Sequence, residues 1–389
     1  MRILHVIIGL GAGGAEHMLH RLVASHHGSS EFHHSVVSLT DAGELGSALI
    51  ANGVDVRTLG MRGFLTAPMT LVRVANIIRR QQPDIVQTWM YHADLIGGLA
   101  ARMVGNKRII WGIRNTDMIK GTAYGTFAIR RICALLSHRI PAIIVCAADA
   151  ARRSHVAIGY DQSKMVVVAN GFEVPVPSLI STDRRAFRAH YGWSDDKVVI
   201  GCVGRFNYYK DHANFVKAAG MLARRCQSVR FLMVGKGLDL GNTELTKLIN
   251  GTGFANRFQL LGFREDVPNC LGAMDVFCLS SRSEGFPNVV GEAMSIGIPC
   301  VVTDVGDVRV LLSNTGIIVQ KENAQALCDG LAQIVEMPPA LREAMGQQGQ
   351  SRLIGEFSMA KAREKFEAIY ESLTSRATLL ETSRTIRPW

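Results

Sequence analysis

Four charged side chains in the second half of the chain have the types and spacing for diphosphate and sugar chemistry. Arg205 and Lys210 lie in "GRFNYYKDHANFVKAAGML", and Glu284 and Glu292 in "SRSEGFPNVVGEAMSIGIPCVVTDVGD". The first stretch follows an apolar run that ends at Gly204, and a helical pattern comes after it. Two cations entering a helix N-terminus make an anion site suited to a diphosphate. In the second stretch Pro287 suits the first turn of a helix. Glu284 is therefore expected in the loop before that helix and Glu292 in its second turn. Both carboxylates can then face one ligand lying across the helix start, where they would accept from sugar and ribose hydroxyls. Backbone N–H groups between Phe286 and Val289, around Asn288, would face phosphate. A further phosphate-type feature opens the chain. In "HVIIGLGAGGAEHML", Gly9, Gly11 and Gly14 satisfy G-x-G-x-x-G. That spacing fits the pyrophosphate of NAD or a different phosphate ligand, and does not choose between them.

The elements that must position these residues are legible along the whole chain. Seven short apolar runs in the first half ("RILHVII", "HSVVSL", "DVRTL", "DIVQTW", "RIIWGI", "AIIVC", "MVVVA") alternate with helical patterns such as "APMTLVRVANIIRRQQ" and "ADLIGGLAARMVG". Six more runs in the second half, from "KVVIGCVG" to "GIIVQ", repeat the arrangement. Uninterrupted apolar strands between amphipathic helices predict parallel sheets covered on both faces. The expected fold is α/β, with two Rossmann-like domains facing a central cleft. The expected boundaries are 1–172 for the first domain, 173–197 for a linker, 198–360 for the second domain, and 361–389 for a C-terminal helix and tail crossing back to the first.

Composition narrows the classes. The chain has 389 residues, 48% hydrophobic and 20% charged, which is globular rather than disordered. No apolar stretch reaches the ~20 residues of a membrane span. The first apolar run, Ile3 to Leu10, reads as a buried strand rather than a signal peptide. The eight cysteines form no C-x-x-C pair, and several of them (Cys146, Cys202, Cys278, Cys300) sit in apolar runs, which points to reduced thiols and a cytoplasmic setting. The net charge of +10 is uneven, since residues 1–172 hold 18 Lys+Arg against 10 Asp+Glu. No motif with interleaved aromatics accompanies this surplus, so nucleic acid is not the expected partner.

The chain resembles the retaining glycosyltransferases of family 4, which have the GT-B fold, over roughly residues 1–370. The resemblance rests on "GAGGAE", "NGFE", "GRFNYYKD", "LGFREDVP" and "SEGFPNVVGEAMSIGIPCVVTDVGD". It implies that Arg205 and Lys210 neutralise the donor diphosphate, that Glu284 holds hydroxyls of the transferred sugar, and that Glu292 binds the ribose. Arg264 then falls on the loop lining the nucleobase, and Gly13 and Gly14 on a turn closing over the donor phosphate. The glycine loop then serves a sugar nucleotide. An NAD enzyme would also want an acidic residue ~20 positions on, at the end of the next strand, and the nearest such candidate, Asp41, lies 27 beyond Gly14. Retention implies front-face displacement, with the leaving diphosphate taking the acceptor proton.

Many family members carry a histidine after the fifth strand. Here the text is "WGIRNTDM", with Asn115 in that place and Arg114 and Asp117 beside it as expected contacts to acceptor or sugar. Asparagine donates a hydrogen bond but is no general base. There is no D-x-D triplet, so no metal and no cofactor beyond the substrate nucleotide-sugar is expected. A UDP-sugar is the first expectation for the donor and a GDP-sugar the second. The expected acceptor is a glycan or lipid-linked saccharide of bacterial polysaccharide synthesis. The basic first domain, with Arg130 and Arg131 in "GTFAIRRICALLSHRI", is expected to touch an anionic membrane, at the inner face of the plasma membrane. The alternatives are a sugar-nucleotide epimerase or hydrolase on the same fold, and a non-catalytic sugar-nucleotide-binding protein.

Overall fold

The computed structural model describes residues 1–11, 13–116, 124–174 and 177–375, and within them the side chains of all but residues 64, 124 and 177–183. The chain divides into two compact units, Met1–Gly171 with Met359–Trp389, and Phe172–Ser358.

In the first unit the seven apolar runs form seven parallel strands: β1 (Arg2–Ile7), β2 (His33–Ser38), β3 (Asp55–Thr58), β4 (Ile85–Trp89), β5 (Ile109–Ile113), β6 (Ile143–Cys146) and β7 (Met165–Val167). Their order is β3-β2-β1-β4-β5-β6-β7. Every residue of β4 and β5 is buried, as expected of strands covered on both faces. The order reverses between β1 and β4, so the loops leaving these two strands flank a crevice at the carboxyl edge of the sheet.

The second unit repeats the plan with β8 (Val198–Val203), β9 (Val229–Val234), β10 (Phe258–Leu260), β11 (Val276–Leu279), β12 (Cys300–Thr303) and β13 (Ile317–Val319). These are ordered β10-β9-β8-β11-β12-β13, again all parallel. Its switch point lies between β8 and β11. Both informative motifs of the sequence leave these two strands.

The stretch 173–197, expected as a linker, is not a bare connection. It contains the helix Pro177–His190, which belongs to the second unit. Arg184 and Arg188 fix it there. Arg184 Nη2 lies 2.6 Å and Arg188 Nη1 3.2 Å from the carboxylate of Asp275, and Arg184 also donates to the Gly272 and Met274 carbonyls. The charged text that read as a polar seam is an ion-paired docking surface. The chain returns to the first unit with the helix Met359–Thr374, whose Phe366 and Tyr370 are fully buried and whose Tyr370 hydroxyl donates to Gln87 Oε1 at 2.5 Å. Residues 376–389 lie outside the described residues.

Candidate active site at the switch point of the second unit

Lys210 and Glu284 are 74 positions apart in sequence, and the fold brings them into direct contact. Lys210 Nζ donates to Glu284 Oε1 at 2.7 Å, with the two side chains 22% and 15% exposed. Lys210 arrives on the loop after β8. Asn207 shapes that loop by accepting from the backbone N–H groups of Tyr209 and Lys210, both at 3.0 Å. Glu284 arrives on the loop after β11, where the Ser281 hydroxyl donates to the same Oε1 at 2.6 Å. The two loops are joined directly, since Ser280 Oγ donates to the Lys210 carbonyl at 2.8 Å. Arg205, at the start of the first loop, is exposed and makes no ion pair among the described residues. Among the described residues that loop thus carries one unpaired cation, Arg205, and one paired one, Lys210.

Glu284 is also held from behind. Gly306, on the loop after β12, has φ +55, and a Cβ there would come within 2.3 Å of the Gly285 carbonyl oxygen and 2.5 Å of that of Glu284. Only glycine tolerates that approach with that backbone. The next N–H, of Asp307, then donates to the Gly285 carbonyl at 2.9 Å. This accounts physically for the "DVGD" tail of the motif.

Pro287 was expected inside the first helical turn. It is instead the N-cap of the helix Asn288–Ser295, with φ −76 and ψ 99, because its extended ψ keeps it in the loop and the helix starts one residue later. Asn288 opens the helix, Glu284 lies in the preceding loop, and Glu292 falls in the second turn. Phe286 is buried and packs against Phe172 of the "NGFE" text, ring centroids 6.2 Å apart. The Phe172 ring fills the space where a Cβ of Gly291 would stand, 2.2 Å from it. Phe172 and Phe286 therefore seat the helix start that carries Asn288 and Glu292. Arg264 follows β10 and is clamped by Asp266, with Nε and Nη2 each 2.7 Å from one carboxylate oxygen. That bidentate bond pushes its pKa up and fixes the guanidinium plane.

In the first unit Gly13 is the N-cap of the helix Gly14–Ser25, so the glycine loop leaves β1 at the switch point. Its neighbour across the crevice is the turn after β4, which sequence reasoning missed. Met90 there adopts φ +71, an uncommon conformation for a side chain of this kind, and half-buried His92 lies in the first turn of the helix Tyr91–Met103. Burial lowers the His92 pKa. A histidine three residues past the strand text "DIVQTW" was the available signal. Asn115 is exposed at the end of β5. Arg114 is turned inward, with Nη1 donating to Asn170 Oδ1 at 2.9 Å and the guanidinium 4.8 Å from the Trp89 ring and 5.8 Å from that of Phe366. Burial pushes its pKa down to about 10. Asp117 lies outside the described residues.

Two doubly wound parallel sheets, each with its polar loops at the switch point, make this an α/β protein of the GT-B class. Residues 12–174 match the family model for glycosyltransferase family 4, and residues 183–352 that for glycosyl transferases group 1. The UDP-Gal:alpha-D-GlcNAc-diphosphoundecaprenol alpha-1,3-galactosyltransferase of Escherichia coli is 22% identical over 308 residues, covering 77% of this chain and 78% of that protein. The putative glycosyltransferase EpsF of Bacillus subtilis is 27% identical over 320 residues, covering 78% and 79%. Among solved structures, Anabaena Alr3699/HepE in complex with UDP and glucose is similar at TM-score 0.82 and 20% identity, covering 96% of this chain and 100% of that one. The chain belongs to the family 4 glycosyltransferases, and it is a glycosyltransferase.

Proposed function

We propose that this chain is a retaining, metal-independent hexosyltransferase that takes its sugar from a nucleoside diphosphate donor, UDP-linked first and GDP-linked second. The observation that carries this reading is the Lys210–Glu284 contact at the switch point, with exposed Arg205 on the same loop and the N-terminus of the helix Asn288–Ser295 after the other. Arg205, Lys210 and that helix N-terminus supply the positive charge for the diphosphate. Glu284 accepts from sugar hydroxyls and Glu292 from the ribose, while Arg264 completes the donor contacts of this unit. The acceptor oxygen bonds to the anomeric carbon as the carbon–oxygen bond to the β-phosphate breaks, on the same face. The released phosphate oxygen takes the acceptor proton, so the chain itself needs no nucleophile. UDP comes first because the E. coli relative is named for a UDP-sugar and the Anabaena structure holds UDP. The test is calorimetric titration with UDP, GDP and ADP, with and without EDTA, repeated on Arg205→Ala. One nucleotide should bind at micromolar Kd, unaffected by EDTA and weakened in the variant. Failure of all three to bind overturns the reading.

The acceptor side of the proposal is a lipid-linked saccharide met at an anionic membrane face. Leu65 (98% exposed), Met69 (60%) and Val72 (51%) follow one another at helical spacing on and just before the helix Ala67–Gln81. Residues 56–83 contain five arginines and no acidic residue. The helix Tyr124–Ser137 adds exposed Phe127, Ile132 and Leu135 beside exposed Arg131, whereas Arg130 donates to Ser154. Exposed apolar residues flanked by arginine suit an interfacial, anionic surface. Among the described residues no helix is long and apolar enough to cross a membrane. The protein should co-sediment with phosphatidylglycerol vesicles at low salt and not with phosphatidylcholine vesicles, and Leu65→Glu with Met69→Glu should release it. Equal recovery with both lipids would sink the membrane reading and leave the donor reading standing.

A further inference from the structure

We infer that Arg282 is a positioning residue for the Lys210–Glu284 pair, a single guanidinium that sets the loop on which Lys210 arrives. The inference rests on the reading of that pair as the donor site. Arg282 stands two residues before Glu284, and its side chain crosses to the other loop and divides its hydrogen bonds among three partners. Nη1 donates to the Tyr208 carbonyl at 2.7 Å, Nη2 lies 2.8 Å from Asp211 Oδ1, and Nε donates to Glu322 Oε1 at 3.0 Å. The guanidinium also lies 4.4 Å from the Tyr208 ring centroid. Its own N–H donates to the Tyr209 carbonyl at 2.7 Å. Lys210 is thus bracketed on both sides, at Tyr208–Tyr209 and at Asp211, by contacts from one residue.

Asp211 shows why this bracket matters. It follows Lys210 directly, is 3% exposed, and adopts a left-handed conformation with φ +47 and ψ 51. It also caps the helix His212–Arg225 by accepting from the Asn214 N–H. A buried carboxylate in an uncommon backbone conformation needs a counterion to hold it, and Arg282 is that counterion. Burial raises the Asp211 pKa, and the charge of Arg282 opposes the rise. Without the guanidinium Asp211 either takes a proton or swings toward water, and either change moves the backbone that aims Lys210. The planar fork reaches three acceptors at once, which a lysine ammonium at the same position cannot match in geometry. Glu322 is half exposed and tethers the outer end only.

The test compares Arg282→Met, Arg282→Lys, Asp211→Asn and the double variant Arg282→Met/Asp211→Asn, with UDP, GDP and ADP as probes and the melting temperature read on each. Arg282→Met should weaken the nucleotide that wild type binds by 10-fold or more, and Arg282→Lys should recover only part of the loss. In the Asp211→Asn background the loss caused by Arg282→Met should shrink to less than 3-fold, because the arginine acts through that carboxylate. If Arg282→Met does not fold, the Arg282→Lys comparison in the two backgrounds reads the same coupling. Wild-type affinity in a variant with only a lowered melting temperature overturns the inference, and so does full additivity of the two changes. Wild type that binds none of the three nucleotides overturns the donor reading as well, which separates the two failures.

Discussion

Replacing Lys210 by alanine is expected to lower turnover by about 10²-fold or more, the scale of losing one preorganised charge donor in an active site. Lys210 is the cation that the fold holds in place, by Glu284 at 2.7 Å and by the bonds at Asn207 and Ser280. On the proposed donor site its removal would take away charge at the leaving diphosphate, and it leaves Glu284 with only the Ser281 hydroxyl among the described residues. Glu284→Gln should cost less, because the amide keeps an acceptor for Ser281 and a sugar hydroxyl while losing the charge. The measurement is steady-state kinetics with the donor identified by titration. A fall in kcat and kcat/KM together marks stabilisation made in the transition state, whereas a rise in KM alone means that Lys210 binds donor and transition state equally. Arg205→Ala provides the comparison, since that residue is exposed and its loss breaks no ion pair among the described residues.

The second large effect is on stability, and it concerns Asp94 in the first unit. Asp94 is completely buried on the helix Tyr91–Met103. Thr88 Oγ1 lies 2.5 Å from Asp94 Oδ1 and 3.2 Å from the Ile110 carbonyl, and the Gly112 N–H donates to Oδ1 at 3.3 Å. Burial raises the Asp94 pKa from 3.8 to about 7, against the Thr88 hydroxyl and the Gly112 N–H, which both donate to the carboxylate and oppose the rise. The folded-state value lies above the unfolded one, so the folded chain keeps a proton that the unfolded chain releases. Stability from this group is therefore full below pH 3.8, falls between pH 3.8 and 7, and stays low above that window. Asp94→Asn removes the titration and keeps an acceptor for Thr88. Relative to that variant, wild type should lose about 3 to 4 kcal/mol between pH 4 and pH 8, an order-of-magnitude figure. Urea midpoints at both pH values read this directly, and parallel behaviour of the two proteins would contradict it. The consequence reaches the turn after β4, because Asp94 ties β5 to the helix on which His92 sits.

Most of the thirteen strands among the described residues were legible as short apolar runs between helical patterns, which survive without knowledge of packing, whereas the mostly exposed β3 (DVRT) carries only a weak form of that signal. Glu284 and Glu292 were placed correctly on loop and helix from the proline between them, with an error of one residue at Pro287. The text 173–197 was misread for a definite reason. Its charges pair with Asp275, about ninety positions away, and a charged helix docked on a distant partner looks like a solvated seam in one dimension.

Sequence alone thus determined the kind of sheet, the number of strands, the family, and the motif residues that leave the second sheet at its carboxyl edge, but not the turn after β4 in the first. These follow from local periodicity and from motifs that are contiguous in the chain. Only the tertiary structure decided which of them meet. That Lys210 touches Glu284, that Arg282 spans the two loops, that Arg114 turns into the first unit and that Asp94 is fully buried beside Thr88 and Gly112 all depend on the strand order. Placing β8 beside β11 and β1 beside β4 sets distant loops against each other and removes water from the groups between them. Separation in the chain carries no information about that, since contact and burial arise only when the crossovers have been made.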